Sequence, residues 1–283
     1  MIFATAHSGI HNSRTKPPPT NLAEALFADQ LQRSTLTFDN QPVSFFGWPV
    51  RYEEELTLRC LSVLSDGERS RAASLLLPED RHRFAQRRAL HQWLDDIYAS
   101  EDVGENHFFT EDVAVNSTLK KQSFFTDQPH LRCGHYAISW TTTANFCIAG
   151  VSRVASIGID AEVPSQAIDF QAMAHAEFTI IESSLIDAKP REEARALFFR
   201  LWRLKEAGLK FYGRGLREGL ACLSFEENER EELYLAHVPS AWGDPHRLYP
   251  RFFETTVFGF NLAVALPTAV ADGRHCPIAT ATP

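Results

Sequence analysis

Phe198-Phe199-Arg200-Leu201-Trp202-Arg203-Leu204-Lys205-Glu206-Ala207-Gly208-Leu209-Lys210-Phe211-Tyr212-Gly213-Arg214-Gly215-Leu216 is the stretch on which the fold turns. Leu197, Leu201, Leu204 and Gly208 recur at helical spacing on one side, and Glu206 and Lys210, four apart, share another. The pattern predicts a long helix over about 192–212, ended by Gly213 and Gly215, whose backbone freedom suits a helix C-terminus. Taken alone, Glu206 and Lys210 are an i,i+4 surface pair worth a few tenths of a kcal/mol. That reading leaves Lys205 and the aromatic residues without a purpose.

Upstream, Ile157-Gly158-Ile159-Asp160-Ala161-Glu162 reads as the end of a strand. Residues i and i+2 of a strand point to one face, so Asp160 and Glu162 lie together. Two carboxylates on one face repel unless a cation lies between them, and an all-oxygen set suits Mg²⁺. On these six residues alone a solvated strand end is the better account of the acids. Glu206 shifts the balance: three carboxylates make a half-open Mg²⁺ site whose remaining positions go to phosphate oxygens and water. Lys205 and Lys210 stand beside it to neutralise phosphate.

Further out, residues 43–48 read as a strand, and helical patterns start near Glu53, Asp66 and Pro78, with Asp66 as an N-cap lacking a full capping box. The third helix carries Leu90, Trp93, Leu94 and Ile97 toward a core, with Arg83 and Arg87 on one flank. Strand-like runs follow at 136–139, 146–149 and 156–160, then at 220–225, 233–237 and 255–266. Strands, helices and more strands occur in both halves. The expected fold is α+β: two similar lobes, each a small antiparallel sheet packed with helices, with the active site in the cleft between them. The expected division is a flexible leader over 1–20 containing Pro17-Pro18-Pro19, lobes over 21–150 and 151–267, the second with the metal site, and a flexible tail over 268–283.

The formal net charge of −8 over 283 residues argues against nucleic acid as the main partner. Against that acidic background, Arg81-His82-Arg83-Phe84-Ala85-Gln86-Arg87-Arg88 is a basic patch fit for a small polyanion, with His82 read as a surface residue. No apolar run reaches the roughly 18 residues of a membrane span, and Met1 to His7 lacks the plan of a signal peptide, so a cytoplasmic protein is expected. Cys60, Cys133, Cys147, Cys222 and Cys276 are scattered without a CxxC pair, which predicts neither a disulfide framework nor a zinc site.

The segments GIDAE (158–162) and FFRLWRLKEAGLKFYGRGL (198–216) resemble the two signature motifs of the 4′-phosphopantetheinyl transferases, specifically the pseudo-dimeric type that activates surfactin synthetase. The pattern W-x-x-K-E-A-x-x-K-x-x-G-x-G-L is complete from Trp202 to Leu216, and a looser likeness runs from Val43 to Leu266. The resemblance implies transfer of 4′-phosphopantetheine from coenzyme A to a serine of an acyl or peptidyl carrier protein, releasing 3′,5′-adenosine bisphosphate. It implies Mg²⁺ on Asp160, Glu162 and Glu206, and Glu206 or Glu162 as the base that takes the serine proton. Lys205 and Lys210 would stabilise phosphoryl charge, and Arg83, Arg87 and Arg88 would bind nucleotide phosphates. A monomer is implied, without nucleic-acid or membrane partners.

Two positions depart from the family pattern. Trp140 stands where a Ser-His-Ser motif places its His, and Gln128 replaces the Lys of a Gly-Lys-Pro. Losing two charged hydrogen bonds would weaken coenzyme A binding by roughly two to four powers of ten if nothing compensates. Ser139, Thr141 and Thr142 remain as donors, while Trp140 either stacks on adenine or packs in the core. Two other readings compete: a catalytically weakened member that binds a carrier protein or nucleotide, and a Mg²⁺-dependent phosphohydrolase. An apolar carrier groove around Phe170, Met173 and Phe178 competes with a core position for those residues.

Overall fold

A computed structural model describes residues 30–100, 136–154, 156–242, 249–268 and 277–280. The expected leader over 1–20 and Gln128 lie outside the described residues. The fold is α+β, with six α-helices and small, mainly antiparallel sheets among the described residues.

The first half opens with a hairpin of β1 (Gln32–Phe38) and β2 (Gln41–Pro49), followed by helices α1 (Glu54–Ser62), α2 (Asp66–Ala73) and α3 (Pro78–Ser100). Strands β3 (Ala137–Thr143) and β4 (Phe146–Ser152) complete an antiparallel sheet of order β1-β2-β4-β3. Asp39-Asn40 and Ala144-Asn145 adopt positive φ in pairs, the geometry that joins twisted strands with two residues. Phe46, Trp48, Ile138, Trp140 and Ala149 on one face of this sheet pack on Ala85, Leu90, Trp93 and Leu94 of α3. The N-cap of α2 is Ser65, not Asp66, and Ser65 with Glu68 forms a complete capping box.

The second half runs β5 (Gly158–Ala161), α4 (Phe170–Glu177), α5 (Ile180–Asp187) and α6 (Arg191–Phe211). It continues with β6 (Ser224–Glu227), β7 (Leu233–His237), β8 (Pro250–Val257), β9 (Phe260–Pro267) and β10 (Ala279–Thr280). Residues 220–222, expected as strand, form a 3₁₀ turn before β6. The run at 255–266 is a hairpin, turned at Phe258-Gly259. The second sheet has the order β10-β8-β9-β5, and β10 joins β8 in parallel. Part of the expected tail is therefore an ordered edge strand.

Alternation on β5 assigns its two faces. Ile157, Ile159 and Ala161 enter a core shared with Phe38, Val43, Phe45 and Ile148 of the first sheet and Phe253, Leu262 and Val264 of the second. Gly158, Asp160 and Glu162 take the opposite face, toward α6. A Cβ at Gly158 would lie 1.9 Å from the Ala207 carbonyl oxygen and 2.6 Å from the Phe211 nitrogen, so the α6 backbone rests directly on β5. Ala263 and Ala265 of β9 continue this floor of small residues beneath α6.

The β3–β5 seam is held by side chains. The Ser139, Thr141 and Thr143 hydroxyls accept from the backbone N–H groups of Ile159, Ala161 and Val163 at 3.0, 3.2 and 3.1 Å. β5 pairs with β9 on its other edge, so the hydroxyl row satisfies donors that would otherwise be left buried. Gly158→Ala should destabilise the protein by about 3 kcal/mol, because the clash is with backbone that no side-chain rotation relieves. Urea unfolding checks this, with Gly67→Ala, where nothing lies within 4 Å of the added Cβ, as the control.

Candidate active site

Asp160 projects from β5, Glu162 follows that strand, and Glu206 projects from α6. One carboxylate oxygen from each lies within 4.8 Å of the others. Asp160 is 2% exposed; its Oδ1 accepts from Thr141 Oγ1 at 3.0 Å and from Lys210 Nζ at 2.7 Å. Its Oδ2 is buried and has no hydrogen-bond partner, an uncompensated anionic oxygen facing the cluster. Glu206 Oε1 accepts from Trp202 Nε1 at 2.8 Å, while Oε2 lies 3.5 Å from Lys210 Nζ. Trp202, Glu206 and Lys210 thus form a ladder one helical turn apart, which orients Glu206 from both sides.

Burial and the charges of Asp160 and Glu206 push the Glu162 carboxyl up to about 7. Burial, followed by Asp160, also raises Glu206, with Lys210 and Trp202 opposing the shift. A cation entering the cluster would replace the protons that Glu162 and Glu206 hold. The donor set is all oxygen, which fits a hard divalent ion such as Mg²⁺, and the orphaned Asp160 Oδ2 supplies a ready ligand.

Lys210 joins the carboxylates as expected, but Lys205 does not. Its side chain is wholly buried on another flank of α6, where Nζ pairs with Glu182 at 2.7 Å and donates to the carbonyls of Leu220 and Leu223. Glu182 also accepts from Thr179, closing the α5 capping box, and from the Phe225 nitrogen. Lys205 therefore ties α6 to α5 and the start of β6. Consecutive helical residues are about 100° apart, so Lys205 cannot share the Glu206 face.

The remaining candidates are dispersed. Ser139 and Thr141 serve the β3–β5 seam, and Thr141 reaches the site only by orienting Asp160. Trp140 packs edge-on to Trp48 and beside His91, in the core rather than open to a ligand. Arg83 pairs with Asp80 at 3.0 Å, Arg88 is bound to Glu68, and Arg87 is half-buried on the same helix. His82, expected at the surface, is buried against Thr57. Phe170 and Phe178 are core residues, with Met173 packed against them.

Arg203 was missed by sequence reasoning although it lies three residues before Glu206 on the same flank. It is 9% exposed, and Asp160 and Glu162 both act on it electrostatically.

Residues 156–263 match the model of the 4′-phosphopantetheinyl transferase superfamily. The matched segment carries Asp160, Glu162, Trp202, Glu206 and Lys210. The chain is similar to the 4′-phosphopantetheinyl transferase HetI of Nostoc sp., 26% identical over 181 residues, which cover 64% of this chain and 73% of HetI. It is also similar to a Synechocystis sp. protein named "Putative 4′-phosphopantetheinyl transferase slr0495", 29% identical over 93 residues, 33% of this chain and 38% of that protein. No described helix is long and apolar enough to cross a membrane.

Two outcomes are expected. A cation must displace the proton that Glu162 holds up to about 7, so Mn²⁺ affinity should fall about tenfold between pH 8 and pH 6, read by calorimetry. Lys205→Met should cost about 3–5 kcal/mol in chemical unfolding, because Glu182 is left buried and unpaired, and Lys205→Met with Glu182→Leu should recover part of it.

Proposed function

We propose that this chain transfers 4′-phosphopantetheine from coenzyme A to a serine hydroxyl of an acyl or peptidyl carrier protein, releasing 3′,5′-adenosine bisphosphate. The observation that carries this reading is the cluster of Asp160, Glu162 and Glu206, with its buried, unpartnered Asp160 oxygen, inside the segment matched to the superfamily. The same three residues would hold Mg²⁺, which supplies Lewis-acid charge to phosphoryl oxygens. Two four-stranded sheets, each covered by a long helix, support the pseudo-dimeric type as the subfamily.

The chain's own groups divide the work. Glu162 or Glu206, each ionised once the cation is bound, is placed to accept the serine proton. Glu206 is kept in one orientation by Trp202 and Lys210. Lys210, 14% exposed at its side chain, offers its ammonium to the phosphoryl oxygens as negative charge moves toward the departing nucleotide. Arg83 and Arg88 would receive nucleotide phosphates by exchanging their present partners Asp80 and Glu68, with Arg87 between them. Lys205 acts through the frame that positions Glu206.

Incubating the protein with coenzyme A, Mg²⁺ and a panel of apo-carrier proteins tests this. Mass spectrometry should show one phosphopantetheine arm added to a carrier, at a rate lowered at least about a thousandfold by Glu206→Ala. Carrier binding without any mass gain would instead support a binding module, and phosphate release without a carrier a hydrolase.

A further inference from the structure

Register places Glu254 of β8, Ala263 of β9 and Asp160 of β5 in one row across the second sheet. Their side chains share the face that α6 covers. Arg203, Glu206 and Lys210, at i, i+3 and i+7, form the α6 stripe above that row. Ala263, small and fully buried, leaves room at its centre. Arg203 occupies this position between Glu254 at one end and Asp160 at the other.

Its partnering is incomplete. Arg200 already holds Glu254, with both Nε and Nη2 at 2.7 Å from Oε2. Arg203 Nη2 reaches the other oxygen only at 3.8 Å, beyond hydrogen-bond range, and its buried Nε finds no acceptor. A buried guanidinium is costly unless its fork is filled, and the fork matches phosphate oxygens in pairs. Charge leads to the same ligand. Lys210 and a divalent ion together offset Asp160, Glu162 and Glu206, and Glu254 is neutralised by Arg200, which leaves the Arg203 charge for an incoming anion.

We propose that Arg203 is a substrate-binding residue that receives the diphosphate group of a ligand arriving at the acidic cluster with a divalent cation. This rests on the proposed reading of the cluster as a cation-dependent phosphoryl-transfer site. It adds a contact absent from the carboxylates and Lys210. Before the ligand arrives, Arg203 opposes cation entry; afterward it holds the diphosphate.

The two effects have opposite signs in one variant, which a structural role would not produce. In the full-length protein, Arg203→Met should tighten Mn²⁺ binding roughly five- to fiftyfold, followed by electron paramagnetic resonance of the free ion. The same change should weaken binding of ADP in the presence of saturating Mn²⁺ roughly ten- to hundredfold, with Arg203→Lys intermediate. Glu254→Gln, which releases Arg203 from its competing carboxylate, should tighten ADP binding and decides the matter if Arg203→Met does not fold. Unchanged ADP affinity in Arg203→Met, or unchanged or weaker affinity in Glu254→Gln, overturns the proposal. If the wild-type protein binds neither Mn²⁺ nor ADP with Mn²⁺, the reading of the cluster fails and this inference with it. Normal wild-type binding with indifferent variants removes Arg203 alone.

Discussion

Helix α6 meets strand β5 at Gly158 with no side chain between the two backbones, and the site's geometry depends on that approach. Glu206 and Lys210 flank Ala207, the residue whose carbonyl lies over Gly158, and Asp160 comes two residues later on the same strand face. The contact therefore sets the spacing between the strand carboxylates and the helix carboxylate. Ala263 and Ala265 extend the approach along β9, and Gly208 lets Leu223 and Phe252 close against the helix. Small residues here are what allow large charges to meet.

Concentrating three buried or half-buried carboxylates is unfavourable, and the surrounding structure offsets only part of it. Thr141 and Lys210 share one oxygen of Asp160, Trp202 and Lys210 hold the two oxygens of Glu206, and the second Asp160 oxygen is left over. Burial, together with the residual repulsion, raises the proton affinity of Glu162 and Glu206. Electrostatic imbalance of this kind marks sites that bind a cation or move a proton.

The string of charges on α6 divides between chemistry and framework. Lys205 and Glu182 form a buried pair that also gathers the Leu220 and Leu223 carbonyls and the Phe225 amide, locking α5, α6 and β6 in one arrangement. On the other side, the hydroxyls of Ser139, Thr141 and Thr143 bind β5 to the first sheet. Both are polar networks away from the carboxylate centre, and both hold its elements still. Trp140, between two of those hydroxyl residues, necessarily points to the opposite face of β3 and so into the α3 core.

Local periodicity made much of this legible. The 3.6-residue repeat of 197–208 defined α6, and the two-residue repeat of 157–162 placed Asp160 and Glu162 together; adding Glu206 completed the acidic set. The same 100° step already separates Lys205 from Glu206, so its burial was readable had the step been applied to that pair. The eight-residue helices α4 and α5 and the half-exposed β1 carry weaker repeats and escaped notice. What the sequence determined by itself is which residues share a face of one element, because that follows from backbone geometry over a few residues. Only the tertiary structure decided which face covers which: that Lys205 meets Glu182, that Ser139 and Thr141 bind β5, and that Arg203 lies between Glu254 and Asp160. Those pairings depend on cross-strand register and helix docking between segments distant in the chain, which no local period encodes.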